Sequence, residues 1–170
     1  KNESTKDFRR LAKIDQELET TSKIIGIKKK VKVAKEKNDY LEVIRLMKLI
    51  IETGESDIVG SYPYYEIAYN YDQLEDYNNA IKFYRKAISI EELKSGNDSI
   101  KVANYLTALA HTFNKGEVSP SKNDFNEVER IRYRVVEITK SKLGFSHIET
   151  AASYQNLAAL FSGKGDFNES

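Results

Sequence analysis

The chain has 170 residues, enough for one domain or one segment of a stacked-repeat protein. It is 40% hydrophobic and 11% aromatic, which suffices for a core, and its 31% charged residues fit a thin structure with much surface. The net charge of +1 gives no global pull toward nucleic acid or membrane, and the lack of cysteine excludes disulfides and thiolate metal sites.

No apolar run approaches the roughly 18 residues needed to cross a bilayer, and no secretory leader is visible. Together with the absence of cysteine, this fits a reducing, cytoplasmic location and no membrane partner. The chain begins with Lys1 and stops at Ser170, a few residues into an expected helix, so a longer parent protein is expected.

Residues Asp7 to Leu18 read as a helix with Phe8, Leu11, Ile14 and Leu18 on one face. The unit 1–22 is either an N-terminal cap or the second helix of a truncated repeat. Residues 23–60 read as a degenerate hairpin. Its first helix carries Ile24, Ile27, Val31 and Ala34 inward, surrounded by Lys28, Lys29, Lys30, Lys32, Lys35 and Lys37. Such a run is either a solvated helix face or an anion-facing patch. No aromatic residues interleave to stack bases, which disfavours nucleic acid. Asp39 caps the partner helix, with Val43, Leu46, Met47, Ile50 and Ile51 inward and Gly54 as its stop.

Residues 61–99 hold the clearest hairpin. Tyr64, Ile67, Ala68 and Tyr71 fall at i, i+3, i+4 and i+7, and Ala80, Ile81, Tyr84, Ala87 and Ile88 repeat that face after a short break. Pro63 stands in the first turn, where its missing amide is harmless. A Gly-Asn-Asp link leads to residues 100–145, with Val102, Ala103, Leu106, Leu109, Ala110 and Phe113 inward and an inserted loop at 115–123. Residues 146–170 make a partial hairpin, with a helix over Ala151–Ser162 and a Gly163-Lys164-Gly165 turn.

The units resemble one another. Asp followed by Tyr or Phe recurs at Asp7, Asp39, Asp76, Asp124 and Asp166, and Asp39–Glu42, Asp124–Glu127 and Asp166–Glu169 read as capping boxes. From Ala68 to Ala110 is 42 residues and from Ala110 to Ala158 is 48, the excess falling in the inserted loop. Such self-similarity predicts a stacked helical repeat. In the third hairpin Arg132 stands where Tyr84 stands in the second, which suggests a rotated or looser helix.

The residues Tyr64, Ile67, Ala68, Tyr71, Ala80, Tyr84 and Ala87 resemble a tetratricopeptide repeat. The 42-residue spacing and the link from Gly144 to His147 resemble the kinesin-light-chain type. The resemblance implies an all-α, right-handed solenoid of about three and a half hairpins whose first helices line a concave groove. It implies a protein-binding module that takes an extended peptide or a partner helix there. By the same resemblance Tyr62, Tyr65, Tyr69 and Asp72, then Asn104, Thr107, His111 and Asn114, then Gln155, face the groove, with Lys28 and Lys32 at one end. The tyrosines alternatively only pack against neighbours. A terminal-carboxylate clamp is not expected, since Glu66 and Ala108 occupy places that would need Asn and a basic residue. A second reading is a regulatory or peptide-sensing segment that docks within its own longer chain. A third is polyanion binding through Lys28–Lys37.

No catalytic set stands out. There is no glycine-rich phosphate loop, and the two histidines, His111 and His147, are far apart in sequence, so no HExxH zinc site exists. Neither a cofactor nor enzymatic activity is expected.

Overall fold

The computed structural model describes residues 2–54, 60–115 and 122–165. Among them are seven helices and no strand: α1 (Asn2–Glu36), α2 (Tyr40–Thr53), α3 (Tyr62–Gln73), α4 (Tyr77–Ser95), α5 (Ile100–Lys115), α6 (Lys122–Leu143) and α7 (Ile148–Gly165). Each helix packs chiefly on its chain neighbours. Side chains also link alternate helices, and so define two rows. In one row Lys35 of α1 pairs with Glu66 of α3, and Tyr65 of α3 stacks on Tyr105 of α5. In the other, Lys48 of α2 lies over the Phe83 ring of α4, and Arg85 of α4 pairs with Glu127 of α6. The result is an all-α helical solenoid.

The apolar stripes account for the stacking. Ile24, Val31 and Ala34 of α1 meet Val43, Ile44, Leu46, Met47 and Ile50 of α2, with Ile67 of α3 closing that cluster. The next residue, Ala68, belongs to a second cluster with Ala80, Tyr84 and Ala87 of α4 and Val102, Leu106 and Leu109 of α5. Helix α3 is thus shared between two layers. Ala68, Ala80 and Ala87 are all 0% exposed, so no space exists there for a larger side chain and the helix axes approach closely.

The two tight hairpin turns use one device. Asn38 and Glu75 have φ of 54° and 60°, the left-handed region. The next amides along the chain, Asp39 N and Asp76 N, reach back to Ala34 O at 2.9 Å and Tyr71 O at 3.0 Å, a Schellman closure of the first helix. The same aspartates then cap the second helix, accepting from Glu42 N at 3.1 Å and Asn79 N at 3.2 Å. Between hairpins, Gly96 at φ 85° and Gly144 at φ 86° take conformations that L side chains rarely adopt. Ser99 Oγ then accepts from Val102 N, and His147 Nδ1 from Glu149 N, to start α5 and α7.

Several expectations need correction. No break separates residues 1–22 from the lysine-rich helix expected after them, because α1 is one helix of 35 residues. Only its C-terminal half packs on α2, and the stripe Phe8, Leu11, Ile14 and Leu18 is exposed. Glu42 does not complete a capping box, since its carboxylate pairs with Arg45 instead. The backbone of Asp124 lies inside α6, which runs Lys122–Leu143, rather than ahead of it. Helix α6 is not rotated: Arg132 is buried as Tyr84 is. The backbone of Gly163–Gly165 is helical, not a turn. The Asp166–Glu169 box and most of the inserted loop lie outside the described residues.

Candidate functional site

The row α1, α3, α5, α7 carries the groove residues expected from the sequence, and the structure sorts them into three recesses. Lys28 and Lys32 of α1 come together with Tyr62 of α3 around a cleft of about 490 Å³, floored by Val31, Met47 and Ile50. Tyr65 and Tyr69 meet Tyr40, Val43 and Glu66 in a neighbouring cleft of about 410 Å³. Thr107 and His111 of α5 share a small recess with Arg132 of α6 and with Ser153 and Asn156 of α7. Asp72, Asn104, Asn114 and Gln155 line none of these, although Asn104, Asn114 and Gln155 are exposed.

Lys35 touches both larger clefts. Its ammonium pairs with the buried Glu66 at 2.6 Å, donates to the Tyr62 hydroxyl at 3.3 Å and lies over that ring. Burial pulls the Lys35 pKa down, but Glu66 and Tyr62 outweigh it and leave the pKa raised. Lys35 is therefore not part of a free cationic stripe, and the cations left to the cleft are the exposed Lys28 and Lys32. Burial, helped by Glu66, also raises the Tyr62 phenol, so it stays a neutral hydrogen-bonding group.

The tyrosines divide. Tyr62 and Tyr69 are 46% and 45% exposed and present ring surface to solvent. Tyr65 is half-buried, stacked on Tyr105 with centroids 4.6 Å apart and edge-on to Tyr84 at 5.6 Å. Its ring is committed to the stacking of hairpins. Asp72, expected to face the groove, is 7% exposed. It accepts from Thr112 Oγ1 at 3.0 Å and pairs with Lys115 Nζ at 2.5 Å, so it ties α3 to α5.

A second polar pin has no counterpart in the sequence reading. Glu91 of α4 is 2% exposed and accepts from Lys101 Nζ at 2.7 Å, from Ser95 Oγ at 2.7 Å and from Ser61 Oγ. Lys101 also lies over the Tyr105 ring. Burial would raise the Glu91 carboxyl, but the hydrogen bonds from Lys101, Ser61 and Ser95 and the Lys101 charge hold it at about 2. The signal for it in the sequence is an acid continuing the apolar stripe of Ala80, Tyr84, Ala87 and Ile88. Asp72, one turn beyond Ala68, carries the same signal.

Among the described residues no group of three or more His, Asp or Glu side chains is placed to hold a metal, and no helix is long and apolar enough to cross a membrane.

These features define a helical repeat scaffold, a class generally used for protein interaction. The tetratricopeptide repeat family model matches residues 62–92, the hairpin of α3 and most of α4. The crystal structure of BtubC (BKLC) from P. vanneervenii superposes with a TM-score of 0.69 over 98% of this chain at 21% identity, a likeness of fold alone. This chain spans 65% of that one. No curated protein sequence matches it significantly. The chain is a tetratricopeptide-like helical repeat protein.

Proposed function

We propose that this chain is a non-catalytic scaffold that holds an extended peptide or a partner helix along the row α1, α3, α5, α7. The carrying observation is the pair of adjoining clefts. One is floored by Val31, Met47 and Ile50 and rimmed by Tyr62, Lys28 and Lys32, and the other sets Tyr40, Tyr65 and Tyr69 around Val43 and the buried polar Glu66 and Asn70. An exposed tyrosine offers broad apolar area and a polar tip at small entropic cost. Clefts of this size accept one or two side chains of a ligand while the surface between them supports its backbone.

A peptide selected from a random library against the chain tests this. Tyr69→Ala or Tyr62→Ala is expected to weaken its binding by about 1–2 kcal/mol, roughly 5- to 30-fold, with helicity unchanged. Affinity unaltered in both variants and in Lys32→Ala would overturn the proposal. Tyr65→Ala is a poor probe, because that ring also supports the stacking of α3 on α5.

A further inference from the structure

The first half of α1 carries an apolar face that no other described helix covers. Leu11, Ile14, Leu18 and Ile25 are between 42% and 62% exposed, and Phe8 beside them is more exposed still. At 3.6 residues per turn this face lies about 140° round the helix from Ile24, Ile27, Val31 and Ala34, which meet α2. Ile24 is 6% exposed and Ile25 51%, so the two faces stay distinct where they overlap. Helices in water draw most of their stability from packing an apolar face. A partner on this face is what would stabilise the first half of α1.

Its spacing separates this face from those of the solenoid. Leu11, Ile14, Leu18, Thr21 and Ile25 alternate steps of three and four, the a and d positions of a coiled coil. Helices of the stack approach one another through Ala68, Ala80, Ala87 and Ala103. No alanine falls on the α1 seam, so a further hairpin would not fit there as the others do. Lys28 and Lys32 continue the face, and their like charges end any pairing of two copies at Ile25.

The charges beside the seam select its occupant. Arg10 and Asp15 are exposed, and among the described residues neither belongs to an ion pair. When two α1 helices lie parallel and in register, Arg10 of one copy, at g, reaches Asp15 of the other, at the next e, and the contact is made twice. An antiparallel pair that seats Ile14 against Leu18 is centred on residue 16. It sets Asp15 against Asp15 and Glu17 against Glu17.

We propose that α1 is a self-association surface: two copies of this chain form a short parallel, in-register coiled coil through Leu11, Ile14, Leu18 and Ile25, with Phe8 at its flank. Burying what these five side chains expose, from both copies, removes on the order of 1,000 Å² from water, the lower edge for a specific interface. A bundle of more strands would also cover the flanking positions, and one of these, Ile24, is already packed with α2. The seam residues line none of the clefts, so pairing leaves both grooves in place. Two grooves on one stalk raise the avidity for a ligand that is itself repeated.

Sedimentation velocity of the 170-residue chain tests this. A dimer that dissociates on dilution through the micromolar range is expected. Leu18→Glu should weaken it about 100-fold or more and leave a helical monomer, since Leu18 supports no contact within the stack. The chain has no native cysteine, so Ile14→Cys reports the orientation. In the parallel register each new thiol meets its own copy and forms an interchain disulfide under mild oxidation. A crosslink that appears only when Ile14→Cys and Leu18→Cys chains are mixed would overturn that register. Arg10→Asp and Asp15→Arg should each dimerise about 10-fold more weakly alone and recover when mixed, because each then meets the opposite charge. Unchanged affinity in both charge variants would overturn the register as well. A chain that stays monomeric at sub-millimolar concentration, or a dimer that Leu18→Glu leaves intact, overturns the proposal.

Discussion

At Glu75 the backbone takes φ 60°, where the Cβ of an L-residue crowds its own carbonyl. Its counterpart in the first hairpin is Asn38, a residue that tolerates this region better. Glu75 is exposed, and the left-handed turn is closed by the backbone, through Asp76 N on Tyr71 O and Glu75 N on Asp72 O. Glu75→Gly is therefore expected to stabilise the fold by about 0.5–1 kcal/mol, the relieved strain exceeding the added chain entropy. Glu75→Ala keeps the Cβ and should give no such gain. Chemical denaturation of the two variants checks this, and equal stability of Gly and Ala variants would show that the turn is unstrained.

Single helices here are held by apolar stripes and by polar pins, and the two are unequally legible in the sequence. The stripes keep a spacing of three and four, so Ile67, Ala68, Ala80, Ala87, Val102 and Leu109 can be read directly, and all are buried. The pins cannot. Glu91 reads as one more surface acid until Ser61 and Lys101 are brought to it from 30 and 10 residues away. Tyr65 and Tyr69 look alike in the sequence. They differ because Tyr105, on the next hairpin, stacks on the first and not on the second. The length of α1 is hidden for another reason: a new apolar stripe beginning at Ile24 reads as a new helix, although the backbone continues unbroken. The Glu91 pin has a pH signature. Its folded pKa of about 2 lies below the ordinary 4.5, so its contribution is full above about pH 5 and is lost as pH falls toward 2. After allowance for screening at the half-exposed Lys101, that contribution is on the order of 1–2 kcal/mol. Urea unfolding should show Glu91→Gln less stable than the parent by this amount at pH 7 and nearly equal to it at pH 2. A gap that does not narrow on acidification would mean that Glu91 acts by packing rather than by charge.

Over the whole molecule, stacking is local: each hairpin contacts the next, and α3 is shared between two core clusters. This is the arrangement of repeat proteins, in which a continuous surface grows from one unit repeated. The repeat makes the fold class readable from residues 61–90 alone. The surface it presents depends on side chains that the repeat pattern leaves free, which is why the groove residues are only partly legible in the sequence. Five of the expected set line the two larger clefts and two line the Arg132 recess. The central claim is that the first-helix row carries the ligand. Backbone amide NMR during titration with a library-selected peptide tests it most directly. The account predicts that the largest shifts cluster on α1, α3, α5 and α7, around Lys32, Tyr62, Tyr69 and His111. Shifts concentrated on the outward faces of α2, α4 and α6 would contradict it.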